Sequence, residues 1–206
     1  MNNFQKLYHQ LIPEDVYTFY ESLLKTIISE EDIVVDVGCG SGRLTKRLER
    51  LSHHVFAFDL DQNMIDIAKK ETTHTTFKIH DMHLPWPFYG DIICLTLDVL
   101  NYSQNPLLVL QHAIDALSDE GIIVMDIYND VKTYSESYAK PFPYTWHRKV
   151  KGNEILHELI IEHKTYHVHQ TIHPIHTIVE FLEKHGFNVD ILAFISEEKK
   201  VLIARR

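Results

Sequence analysis

The chain has 206 residues, 45% of them hydrophobic and 24% charged, with a formal net charge of −9 at pH 7. That length suits one well-packed domain carrying a small insertion, and the acidic balance argues against a broad phosphate-tracking surface, so no nucleic-acid partner is expected. The opening residues lack a basic and apolar leader pattern, no run approaches the roughly 20 apolar residues of a membrane span, and Cys39 and Cys94 show no disulfide or zinc spacing; a cytoplasmic protein without a membrane partner is the expectation.

Residues 1–30 carry the aromatics Phe4, Tyr8, Tyr17 and Tyr20. Five apolar runs follow: "DIVVDV" (32–37), "HVFAFD" (54–59), "TTFKIH" (75–80), "DIICLTL" (91–97) and "GIIVMDIY" (121–128). They are rich in Val, Ile and Phe and several are apolar nearly throughout, as strands covered on both faces must be. Helical stripes separate them: Leu44, Leu48 and Leu51; then Met64, Ile65 and Ala68 behind Asp61 as N-cap; then Leu107, Leu110, Ile114 and Leu117. Strand alternating with helix predicts right-handed βαβ units in an α/β, doubly wound sheet.

After Tyr128 the pattern changes. "YTWHRKV" and "EILHELIIEHKTYHVHQTI" read as two long extended segments joined by "KGNE", where Gly152 and Asn153 can take positive φ. Residues 130–173 are therefore expected to form a small antiparallel β insertion, the surface through which a homodimer would form, between core segments 31–129 and 174–206 of one domain. Helical spacing returns between Pro174 and Gly186, and "FNVDILAFI" pairs with "KKVLIARR" as a closing hairpin through "SEEK".

Three of the seven glycines, Gly38, Gly40 and Gly42, fall within five positions after the first strand. A tight turn needs one or two, so three point to a ligand that approaches the main chain. The dinucleotide fingerprint fails because its sixth position is Arg43, and no Gly-Lys-Ser/Thr of a P-loop follows. With Asp36 in front, the loop instead resembles the acidic-x-Gly-x-Gly-x-Gly signature of class I S-adenosylmethionine-dependent methyltransferases. "FAFDLDQNMIDIAKK", "FKIHDM" and "FYGDIICLTLDVLNYS" resemble that family's second-, third- and fourth-strand motifs, and the likeness covers essentially the whole chain.

The resemblance implies a Rossmann-like, mostly parallel seven-stranded sheet with a C-terminal antiparallel hairpin, S-adenosylmethionine as cofactor and S-adenosylhomocysteine as product. It implies Asp36 near the glycine turn and the cofactor's methionine portion, Gly38, Gly40 and Gly42 as the cofactor-binding loop, Asp59 at the ribose hydroxyls, and Leu60 among the cofactor-binding residues. Met64, Asp81 and the Met82 backbone fall at the adenine, Leu97 lies by the fourth strand, and residues 1–30, with Phe4, Tyr8, Tyr17 and Tyr20, resemble the family's N-terminal helical cover, Tyr8 counting among the cofactor-binding residues. His9 follows Tyr8 where the family commonly has Asp, a departure from the pattern.

Methyl transfer from a sulfonium is an in-line displacement, so the enzyme chiefly aligns the acceptor and excludes water. "LDVLNY" ends the fourth strand, making Asp98, Asn101 and Tyr102 the candidates to line the reacting centre. The absence of an Asn-Pro-Pro-Tyr motif, with the acidic charge, points to a small-molecule acceptor; a non-catalytic cofactor-binding protein and an RNA methyltransferase stand as alternatives. Tyr134, Tyr138, Phe142, Tyr144, Trp146 and Tyr166 read either as a lid over that acceptor or as the insertion's own core. His167, His169 and His173 share one face if they lie in a strand, but no carboxylate or cysteine at matching spacing supports a metal, so none is expected.

Overall fold

The computed structural model describes residues 10–206, so Phe4, Tyr8 and His9 lie outside the described residues. The predicted runs become β1 (Ile33–Val37), β2 (His54–Asp59), β3 (Thr76–Ile79), β4 (Gly90–Leu95) and β5 (Leu117–Tyr128), all parallel to one another. After them come β6 (Tyr134–Tyr138), β7 (Tyr144–Lys151), β8 (Glu154–Ile161) and β9 (Lys164–Thr171), then β10 (Asn188–Ala193) and β11 (Lys199–Arg205). The larger sheet has seven strands in the order β10-β11-β5-β4-β1-β2-β3, with β10 and β11 antiparallel as the closing hairpin. The insertion forms its own four-stranded antiparallel sheet in the order β6-β7-β8-β9.

The continuous apolar character of β1 follows from its two covers. Val35 and Val37 pack with Ile93, Leu110 and Ile178 on the face beneath α4 (Pro106–Asp115) and α5 (Ile175–Lys184). Val34 packs with Tyr20, Leu24 and Leu48 on the opposite face, beneath α1 (Glu14–Leu24) and α2 (Thr45–Leu48). Each face removes a layer of aliphatic side chains from water, the main drive to this architecture. Asp61 caps α3 (Gln62–Glu71) by accepting the Asn63 N–H at 2.8 Å, as its sequence position predicts.

Several expectations change. Strand β5 begins at Leu117, where the last residue of a helical stripe was expected, and its register against β4 shifts between Gly90 and Ile92. The second long extended segment of the insertion is two strands, reversed at Glu162 and His163 with φ of 49° and 66°. Neither is a glycine, so the turn carried none of the usual signal. At the "KGNE" turn Gly152 takes positive φ and Asn153 does not. His173 lies beyond the end of β9 and is buried, its Nε2 donating to the carbonyls of Ser103 (3.0 Å) and Leu100 (3.2 Å). It therefore shares no face with the exposed His167 and His169. Among the described residues no helix is long and apolar enough to cross a membrane.

Candidate active site

At the end of β1 the chain turns through Gly38, Gly40 and Gly42, and the three glycines have different reasons to be there. A Cβ on Gly38 would stand 2.8 Å from Val99 Cγ2, and one on Gly42 would stand 2.7 Å from Ala68 Cβ and 2.9 Å from its backbone. Those two permit close packing of the loop on neighbouring elements. A Cβ on Gly40 would meet nothing within 4 Å; this residue borders a cavity of about 570 Å³. Gly40 is thus where the main chain itself faces a ligand-sized space.

Asp59, at the tip of β2, stands across the same cavity. One carboxylate oxygen accepts the Gly40 N–H at 2.8 Å and the other the Asp61 N–H at 2.9 Å. Burial pushes its pKa up, and the backbone donors oppose that rise. The carboxylate is pinned in place and keeps further acceptor sites for hydroxyl groups. Asp36 differs from its expectation: it does not border the cavity but lies buried beneath the loop, accepting the Thr45 hydroxyl at 2.6 Å. Burial raises its pKa to about 7 despite that bond.

Leu60, Met64, Asp81, Met82 and Leu97 all line this cavity. Asp81 accepts the His83 backbone N–H at 2.9 Å and faces His83 Nδ1 at 2.8 Å, which hold its carboxyl below the usual range. His83 Nε2 in turn lies 2.9 Å from the Ser103 hydroxyl. In the neutral ring Nδ1–H donates to the Asp81 carboxylate, so Nε2 accepts the Ser103 hydroxyl proton while that oxygen accepts the Asn105 N–H at 2.9 Å. Sequence reasoning gave no role to His83 or Arg43. Arg43 lines the cavity, donates to the Ile12 carbonyl (3.0 Å) and Glu14 (2.7 Å), and stacks 4.1 Å from the Tyr17 ring centroid, tying α1 to the glycine loop.

Where β4 ends, Leu97 and Asp98 both adopt left-handed backbone, with φ of 62° and 71°. Two consecutive non-glycine residues in that region carry strain that the surroundings must offset. Buried Asp126 accepts the Asp98 N–H at 3.2 and 3.3 Å. The turn separates the first cavity from a second of about 370 Å³ beneath the insertion; Leu97 and Ile12 line both. The three catalytic candidates part company here. Tyr102 lines the first cavity and Asp98 the second. Asn101 lines neither: it is fully buried and its side-chain amide donates to the Thr171 carbonyl at 2.8 Å, fastening the end of β9. Of the insertion's aromatics, Tyr134 and Trp146 line the second cavity, whereas Tyr138, Phe142 and Tyr166 pack around Tyr144 and Leu159 as the small sheet's core.

The profile of a methyltransferase domain family matches residues 28–181. The chain belongs to that family. A Bacillus subtilis relative named "Putative methyltransferase YqeM" is 24% identical over 137 residues; the match covers 63% of this chain and 56% of the relative, so the chain spans little more than half its length. A ribosomal RNA small subunit methyltransferase A from Pediococcus pentosaceus is 42% identical over 40 residues, 19% of this chain and 14% of that one. Among solved structures, the CcbJ methyltransferase of Streptomyces caelestis aligns with a TM-score of 0.80 at 12% identity, over 98% of this chain and 95% of its own. CalS10 from Micromonospora echinaspora, an amino pentose methyltransferase solved with S-adenosylmethionine bound, aligns with a TM-score of 0.77 at 12% identity over 100% of this chain and 97% of its own. This methyltransferase-domain chain therefore has the Rossmann-like fold that those proteins share, with the expected seven-stranded sheet and separate antiparallel sheet.

Proposed function

We propose that the chain binds S-adenosylmethionine in the larger cavity and transfers its methyl group to a small molecule held in the smaller one. The observation that carries this reading is that the two cavities share Leu97 and Ile12, Leu97 lying just beyond the C-terminal end of β4. The larger cavity suits the cofactor: the Gly40 backbone leaves room, and the pinned Asp59 carboxylate would accept the ribose hydroxyls, each such bond contributing about 1.5–3 kcal/mol. Leu60 and Met64 would flank the nucleoside, and Asp81 with the Met82 backbone would meet the adenine. Asp36 would act through Thr45 by holding the loop. Tyr8 belongs to the same proposal as part of the cover.

When bound, S-adenosylmethionine supplies an electrophilic methyl group on a positively charged sulfur. The chain's residues supply alignment and a dry environment: Leu97 and Tyr102 on the cofactor side, Asp98 on the acceptor side, and Tyr134 and Trp146 as walls of the acceptor cavity. A volume of about 370 Å³ suits a small molecule rather than a polymer, and the net charge of −9 weighs against RNA. The same reading takes residues 1–206 as one cytoplasmic domain, with 130–173 as its lid. It also carries a homodimer joined through the insertion, whose sheet ends at β6 and β9; sedimentation tests it, and a monomer at micromolar concentration removes it.

Incubation with methyl-labelled S-adenosylmethionine and a macromolecule-free cell extract tests the function. Label in a small-molecule product supports it. Cofactor binding without turnover favours a regulatory binder, and transfer to RNA with salt-sensitive binding favours an RNA methyltransferase.

A further inference from the structure

The second cavity is bordered by a chain of hydrogen-bonded polar groups. Trp146 Nε1–H can only donate, and it does so to His157 Nδ1 at 2.9 Å. Burial holds His157 below its ordinary pKa, so the neutral ring carries its proton on Nε2 and donates it to Gln170 Oε1 at 2.9 Å. The Tyr128 hydroxyl lies 3.0 Å from the same oxygen and 3.3 Å from Asp98 Oδ2. Its one proton can serve either acceptor. Lys199 Nζ pairs with Asp98 Oδ1. Asp98 lines the cavity, and because a carboxylate oxygen can accept more than one hydrogen bond, Oδ2 keeps acceptor capacity for a donor brought by the ligand.

The charges narrow that ligand. Both strong cations of the wall are already paired: Lys199 with Asp98 and, at 3.6 Å, Asp126; Arg148 with Glu198 at 2.9 Å and with the Lys132 carbonyl at 2.8 Å. Among the described residues the cavity therefore offers a phosphate or carboxylate no cation outside an ion pair, while Asp15 adds another acidic group. Trp146, Tyr134 and Phe194 supply aromatic walls suited to a cationic group. The groups facing Asp98 are Lys199 from β11, Asp126 and Tyr128 from β5, His157 from β8 and Tyr20 from α1.

We infer that this cavity takes a primary or secondary amine on a body free of phosphate and carboxylate, and that Asp98 Oδ2 receives the proton that leaves the ammonium. The inference rests on the methyltransferase reading above. The N–H bond breaks and an O–H bond forms on Asp98. The freed nitrogen lone pair then forms the new N–C bond as the methyl carbon leaves the sulfur, which keeps the C–S electron pair, so the positive charge passes from sulfur to nitrogen. An amine is favoured over an alcohol because its free base attacks without ionising, whereas an alcohol must also give up its proton as it is methylated.

A macromolecule-free cell extract, half of it treated with N-hydroxysuccinimide acetate to cap its amines, tests this in two readouts. Ligand-observed NMR with the cofactor-free protein is expected to show bound compounds from the untreated half only. Methyl label from S-adenosylmethionine is expected only in products of that half, retained on a cation exchanger. Asp98→Asn should bind cofactor as the parent does and transfer methyl about 10²–10⁴-fold more slowly at pH 7, the deficit narrowing as pH rises and free amine accumulates. Binding and labelling that survive capping, or a labelled product that is not cationic, overturn the amine while leaving the methyltransferase reading standing. No labelled small molecule from either half, with cofactor bound, overturns both.

Discussion

Gly40 and Asp59 meet through one hydrogen bond of 2.8 Å, and that contact joins the loop after β1 to the tip of β2. Asp59→Ala should weaken S-adenosylmethionine binding about tenfold or more by titration calorimetry, and Gly40→Val should block it by filling open space. Both variants should keep the parent's circular dichroism; undiminished affinity in either removes it from the site. Gly42→Ala belongs to another class, because its Cβ meets the Ala68 backbone, so it should lower stability by about 1–3 kcal/mol. Asp36 gives a pH signature. Its folded pKa of about 7 lies above the ordinary 3.8, so its contribution is full below about pH 4 and is lost as pH rises through 7. Asp36→Asn should therefore gain thermal stability over the parent from pH 4 to pH 8; a constant difference would contradict this. The concentration of glycine and the acidic residues after it were legible in the sequence. The division of labour among the glycines was not, since it depends on Val99 and Ala68, which only the fold brings opposite them.

Among the elements, the parallel strands were legible because burial on both faces imposes a continuous apolar run, a constraint local in sequence. The reversal at Glu162 and His163 was not, because two ordinary polar residues adopt a turn geometry usually announced by glycine or asparagine. Asn101 illustrates the same limit: its partner, the Thr171 carbonyl, lies in the insertion. The link between α3 and β3 depends similarly on a distant group. Glu49 accepts the N–H groups of Thr73, His74 and Thr75 and both threonine hydroxyls. Burial alone would raise its pKa, but the Thr75 hydroxyl and these backbone donors bring it down to about 2. Its contribution is present above the ordinary value near 4.5 and is lost as pH falls through 2. Glu49→Ala should cost on the order of 2 kcal/mol at pH 7, seen as a lower denaturation midpoint, with the difference closing near pH 2; a difference that stays constant would show that the carboxylate's charge is not involved.

At the scale of the whole molecule, the proposed function rests on two cavities that share Leu97 and Ile12, one built by the seven-stranded sheet and its loops, the other bordered by the insertion. The first was visible in sequence as an ordered series of motifs. The second draws on residues from Leu11 to Lys199, and its polar line of His157, Gln170, Tyr128 and Asp98 has no sequence spacing to betray it. Arg43 excluded a dinucleotide loop in the sequence, and in the structure it ties the helical cover to the cofactor side. Thermal unfolding in the presence of S-adenosylmethionine, S-adenosylhomocysteine or NAD tests the central claim most directly. At about 100 times its dissociation constant, a ligand that binds only the folded state adds roughly 2.7 kcal/mol, a rise in Tm of about 5–10 °C for a chain of this size. The two sulfur compounds should each produce that rise and NAD none; a rise with NAD and none with either sulfur compound would contradict the account.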